Sequence, residues 1–198
     1  MRFVTRRAGL VGLAAAAGTL ASASLIRKPR AADPAGAVRA ADGEELEDMS
    51  AMKLFDPPVT LPSLPFTAAD GSRHTIAEFR GHGMVLNLWA TWCRPCVAEM
   101  PSLARLSRAL APDDIAVMAI STDHGGIPAV RRFFTDHDIT ALPILVDADG
   151  RIGEALNVRG IPTTLVIDRE GRERGRLEGA ADWASPQALA TVRRLARA

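Results

Sequence analysis

The chain has 198 residues, 47% of them hydrophobic, so it can bury one good core and has little room for a second full-sized domain. Its 24 basic and 23 acidic residues leave a formal net charge of +1, a global field that suggests neither nucleic acid nor an anionic surface as a partner. Two cysteines cannot supply the multi-bridge framework of a small secreted scaffold, so their pairing points to chemistry and not to architecture.

Residues 1–26 read as an export signal or membrane anchor. Arg2, Arg6 and Arg7 precede an uncharged run from Ala8 to Ile26, and positive charge resumes at Arg27. Thr5-Arg6-Arg7 followed by Leu10 and Val11 resembles a twin-arginine signal, with Gly9 where a bulky apolar residue is usual. Ala21-Ser22-Ala23 offers a cleavage site, while the apolar run is also long enough to span a bilayer, and the flanking charges balance. Cleaved or retained, the remainder is expected outside the cytoplasm, periplasmic, held at the membrane or secreted. Residues 27–58, rich in Ala, Pro and charge, read as a flexible linker in which Gly43 to Lys53 could form a short helix.

Residues 59–198 carry the regular punctuation of one folded domain. LPFTAADGSRHTI predicts two short strands joined at Asp70-Gly71. MVLNLW (84–89) is a strand, followed by a helix from about Arg94 to Leu110 with Met100, Leu103, Leu106 and Leu110 on one face and a kink expected at Pro101. IAVMAIST (115–122) is a buried strand. A helix over about 128–137 groups Ile127, Val130 and Phe134, PILVDADG gives a short strand and turn, and a short helix lies near Ile152 to Leu156. IPTTLVIDREGRERGRLEG reads as two strands joined at Arg169-Glu170-Gly171, and Ser185-Pro186 opens a last helix with Leu189, Val192 and Leu195 inward. The fold class is α/β, a mixed sheet with helices on both faces.

The chemistry centres on NLWATWCRPCVAEMP, residues 87–101. Positions three apart share a helix face, so Cys93 and Cys96 can close a disulfide across one turn. Because they open a helix, the free N–H groups and positive dipole end favour a thiolate at Cys93, assisted by Arg94. Cys93 is then the nucleophile and Cys96, one turn deeper, the resolving thiol. A zinc site would need two more ligands, and His74, His82, His124 and His137 are scattered without ligand spacing, so no metal is expected. A structural staple is disfavoured because so short a loop removes little entropy from the unfolded chain.

WATWCRPCVAEMP together with VRGIPTTLVIDREG resembles the membrane-facing thioredoxin-like proteins of the TlpA, ResA and cytochrome c maturation group, over about residues 59–198, and LEGAADW draws it nearest to TlpA. The resemblance implies a thioredoxin-like fold with an N-terminal hairpin and an extra β-α element before a cis-proline loop at Ile161-Pro162-Thr163. Where thioredoxins proper carry a buried aspartate, this chain has Asn87, which cannot titrate, and Glu99 matches the active-site glutamate of ResA-like proteins. Glu99 is therefore the candidate to shuttle the Cys96 proton, against the plainer reading of a solvated first-turn glutamate. Trp92 is expected beside the exposed sulfur as a contact surface, and the Ile161 backbone beside Pro162 as a partner for an extended substrate segment. Trp89 is expected in the core.

The implied activity is an extracytoplasmic thiol:disulfide reductase without cofactor. Its substrates would be protein disulfides of apocytochrome c or of a copper-delivery protein of cytochrome oxidase assembly, with a membrane thiol carrier recharging the pair. The alternative is a non-catalytic binding protein or metallochaperone-like module on the same fold. A peroxiredoxin is a weaker alternative, since the lone cysteine pattern of those proteins is missing.

Overall fold

The computed structural model describes residues 38–39 and 45–198. The signal expected over residues 1–26 and the linker up to residue 37 lie outside the described residues. Among the described residues no helix is long and apolar enough to cross a membrane.

A two-stranded ribbon pairs β1 (Val38–Arg39) with β2 (Glu45–Leu46). The main sheet comprises β3 (Lys53–Thr60), β4 (Pro65–Ala68), β5 (Arg73–Thr75), β6 (Gly83–Trp89), β7 (Ile115–Ser121), β8 (Leu145–Val146), β9 (Thr163–Ile167) and β10 (Arg172–Glu178). The spatial order is β3-β10-β9-β6-β7-β8-β4-β5. β7 runs parallel to β6 and to β8, and the other pairs are antiparallel, so the sheet is mixed. The helices are α1 (Arg94–Leu110), α2 (Gly126–Asp136), α3 (Arg151–Ala155) and α4 (Pro186–Ala196).

The central strand β6 is buried at every position, as its nearly unbroken apolar run requires. The period of two divides it. Val85 and Trp89 join one apolar cluster with the buried faces of α1, α2 and α4, whereas Met84, Leu86 and Leu88 join a second with α3 and Phe66 of the hairpin. Asn87 points to the first side, so a polar amide stands on the face that α1 covers. Met100, Leu103, Leu106 and Leu110 of α1 are all buried, as their spacing requires, and the helix runs through Pro101.

The linker expected over 27–58 ends earlier than the sequence suggested. Met49–Ala51 form a 3-10 turn whose Asp48 cap accepts from the Ser50 N–H, and Lys53–Thr60 is an edge strand on β10. Leu46, Met49 and Met52 are buried. Gly175 makes the close approach of Met52 possible, since a Cβ there would lie 2.9 Å from the Met52 sulfur. The segment hid from sequence reading because β3 has no alternation of burial: both its faces are largely open, leaving Leu54 53% exposed, and pairing with β10 imposes its form.

Candidate active site

The β6–α1 junction presents the cysteines. Cys93 and Cys96 are joined in a disulfide, with Cα atoms 5.3 Å apart. Cys93 caps α1: its backbone is extended and the Cys96 N–H points to its sulfur at 3.3 Å. Pro95 occupies the first turn, where no N–H is needed. Helix start, cap and nucleophile candidate thus coincide in one residue, so the Cys96 amide that would otherwise be orphaned faces Cys93 Sγ.

The loop before Cys93 is clasped from β7. Asp123 accepts from the Thr91 N–H at 2.9 Å and from the Thr91 hydroxyl at 2.7 Å, and Ser121 Oγ donates to it at 2.6 Å. The Thr122 N–H adds a bond to the Trp89 carbonyl at 2.9 Å. Trp92, held between Thr91 and Cys93, projects 69% exposed, whereas Trp89 is fully buried against Phe133 and Phe134.

Across from the sulfur, the Ile161–Pro162 peptide is cis, and the Ile161 carbonyl oxygen lies 3.7 Å from Cys93 Sγ. The loop is tied in place by Thr163 Oγ1 donating to the Gly160 carbonyl at 2.7 Å and by the Gly179 N–H donating to the Pro162 carbonyl at 2.9 Å.

Beneath the cysteines, one turn of α1 beyond Cys96, Glu99 is 1% exposed. It is not the solvated first-turn glutamate of the plainer reading. Asn87 Nδ2 donates to its Oε1 at 2.8 Å, and the Ala181 N–H and Trp183 Nε1 donate to Oε2 at 3.1 and 2.9 Å. Burial pushes its pKa up to about 7, against the three donors, which pull the other way. The loop supplying two of those donors is itself buttressed: Ser102 Oγ accepts from the Trp183 N–H, and the Glu47 N–H donates to the Ala180 carbonyl at 2.6 Å.

The structure therefore brings together Trp92, Cys93, Cys96, Glu99, Ile161 and Pro162, drawn from two loops and a helix. Arg94 is exposed on the first turn of α1. The histidines stay apart: His74 meets Glu78, His82 meets Asp114, His124 meets the Ala148 carbonyl and His137 stacks on Phe133. Among the described residues no cluster of His, Cys, Asp or Glu could hold a metal ion. Sequence reasoning missed Asp123, Ala181 and Trp183. LEGAADW carried the signal, for a tryptophan indole that enters a core brings an N–H that needs an acceptor.

The Redoxin family profile matches residues 34–191. The thiol-disulfide oxidoreductase ResA of Geobacillus kaustophilus is 31% identical over 120 residues, 61% of this chain and 68% of that protein. Among solved structures, the exposed lipoprotein thioredoxin Etrx1 of Streptococcus pneumoniae is similar with a TM-score of 0.55 and 27% identity, covering 66% of this chain and 99% of that one. A thiol:disulfide interchange protein DsbE from Chlorobium tepidum shares the fold with a TM-score of 0.59 at 20% identity, covering 70% of this chain and 93% of that one.

Proposed function

The chain belongs to the Redoxin family and is a thiol-disulfide oxidoreductase of the ResA/DsbE type, and from that premise we propose that it is a dithiol reductase of protein disulfides outside the cytoplasm. The observation that carries the reading is the grouping of three parts: a sulfur at the start of α1, the cis Ile161–Pro162 loop beside it, and the buried Glu99 carboxyl one turn of α1 beyond Cys96.

In the reduced form the helix amides favour the Cys93 thiolate, which attacks one sulfur of a partner disulfide. The partner S–S bond breaks, one partner thiolate leaves, and a mixed disulfide joins Cys93 to the other sulfur. Trp92 and the Ile161 backbone hold the partner, the first by apolar contact and the second by main-chain pairing. Glu99, as carboxylate, takes the proton of Cys96; the Cys96 thiolate then attacks Cys93 Sγ and expels the second partner thiolate. Two electrons have passed to the partner, whose thiolates take up protons, and the Cys93–Cys96 disulfide is the oxidised product. A membrane thiol donor recharges it by the same exchange in reverse. The cysteines are the whole redox equipment and no cofactor takes part.

The partner class follows from the TlpA/ResA resemblance: the haem-binding cysteine pair of apocytochrome c or the cysteines of a copper-delivery protein. The Arg-flanked apolar run of residues 1–26 supports export or anchoring of the domain. Cys96→Ser tests all of this, because it stops the exchange at the mixed disulfide. A covalent complex through Cys93 with such a partner, in the extracytoplasmic fraction, is expected. A variant that accumulates no mixed disulfide, together with a double Cys93→Ser, Cys96→Ser variant that works normally in cells, would return the protein to the class of binding modules.

A further inference from the structure

Among the described residues, every group that hydrogen-bonds the Glu99 carboxyl is a donor: Asn87 Nδ2, the Ala181 N–H and the Trp183 indole. That set suits a carboxylate, whose oxygens only accept, and gives the O–H of the protonated acid nowhere to donate. A group that carries a proton back and forth needs partners in both states, since a buried O–H without an acceptor is destabilising. One acceptor at the same place is idle. Asn87 Oδ1 is buried and has no hydrogen-bond partner. Its sister atom Nδ2 serves two neighbours at once, Glu99 Oε1 at 2.8 Å and Thr164 Oγ1 at 2.9 Å.

We propose that Asn87 is a positioning residue whose amide turns over with the protonation state of Glu99, so that one side chain completes the hydrogen bonding of both forms. Against the carboxylate, the two Nδ2 hydrogens go to Glu99 Oε1 and Thr164 Oγ1, as in the structure. When Oε1 carries the proton, a half-turn of the amide puts Oδ1 in the place of Nδ2. Its two lone pairs then accept from the Glu99 O–H and the Thr164 O–H, a hydroxyl being able to serve either way. The turn moves the unpartnered end of the amide from Oδ1 to the Nδ2 hydrogens, and in return replaces a donor-to-donor clash at Glu99 Oε1 by an O–H bond to Oδ1. The proton itself stays on Glu99 Oε1.

An aspartate at position 87 could not do this, because its carboxylate would only accept and would face a second carboxyl. Among the described residues, burial and the three hydrogen-bond donors act on the Glu99 carboxyl, and no charged side chain does. The groups bonded to the Glu99 carboxyl are Asn87 of β6 and Ala181 and Trp183 of the β10–α4 loop; Thr164 of β9 joins through Asn87, Cys96 precedes Glu99 by three residues on α1 and is held in the disulfide, and Asp182 turns away to the Ala184 N–H. The proposal rests on the reading of Glu99 as the proton carrier.

The test is a side-chain NMR titration of the full-length, isotopically labelled, oxidised protein, in which no thiol titrates. At high pH the Asn87 amide protons are expected to show a cross-relaxation peak to the Thr164 methyl. That peak is lost on acidification with the same midpoint as the Glu99 carboxyl carbon. Glu99→Gln provides a second arm. Its amide nitrogen must face Asn87, since Ala181 and Trp183 both donate to the other side, so Asn87 is expected in the turned orientation at every pH. Asn87 signals unchanged across the Glu99 titration, or a Gln variant with the high-pH signature of the parent, overturn the proposal. Because no turnover is involved, a fixed Asn87 alongside a pH-dependent reduction rate that needs Glu99 would sink this inference and leave the proposed function standing.

Discussion

Replacing Glu99 with glutamine removes a buried charge while keeping the shape of the side chain. In the folded protein burial pushes the carboxyl pKa up to about 7 from an ordinary 4.5, against the three hydrogen-bond donors. The folded state therefore holds the proton more tightly than the unfolded chain between those values. Stability falls as pH rises from about 4.5 through about 7, and levels off above. At about 1.4 kcal/mol per pH interval of one, the full loss is on the order of 3 kcal/mol. The glutamine has no such term, so the difference between the two proteins isolates it from every other titrating group. Urea unfolding of both oxidised proteins at several pH values between 4 and 8 measures it. The parent is expected to lose on the order of 3 kcal/mol relative to the variant as pH rises across that range. A flat difference would show that folding leaves the Glu99 pKa unchanged, and a difference of opposite slope would mean that the three donors outweigh burial. In the reduced enzyme, the same substitution is expected to flatten the pH dependence of the step that resolves the mixed disulfide.

Two further substitutions probe the partner surface and the docked N-terminal segment. Trp92→Ala removes a side chain that is 69% exposed, so unfolding free energy should change by less than about 0.5 kcal/mol while KM for a protein disulfide rises and kcat holds; a large stability loss would show that Trp92 belongs to the core. Met52→Ala should cost about 2–3 kcal/mol in urea unfolding, because Met52 is buried against Gly175 and the sheet edge, and a cost near zero would restore residues 45–58 to the tether.

The elements with strong local periodicity were legible in the sequence: α1 from the spacing of Met100, Leu103, Leu106 and Leu110, β6 from its apolar run, and the hairpin from Asp70-Gly71. The short α3 was also visible, displaced by one residue to Arg151–Ala155. β3 was not, because Pro57 and Pro58 and a strand open on both faces read as linker, and only the pairing with β10 makes it a strand. The cysteine pair is local, so its spacing could be read directly. The environment of Glu99 is not local: its donors come from positions 87, 181 and 183, brought together by the sheet and the β10–α4 loop. No residue pattern along α1 distinguishes a buried glutamate in the first turns from a solvated one, and the resemblance to ResA-like proteins pointed to a residue whose burial only the fold explains. Asp123 escaped notice for the same reason, since its partner Thr91 is on another strand's end.

The central claim is that a helix beginning at Cys93 makes its sulfur the reactive one. Alkylation of the reduced protein across pH, with the modified residue located by peptide mass, tests it most directly. Cys93 should be modified first, at a rate half-maximal well below the ionisation of free cysteine at about 8.5, with Cys96 protected. Modification of both sulfurs together, with the pH profile of a free thiol, would contradict the claim.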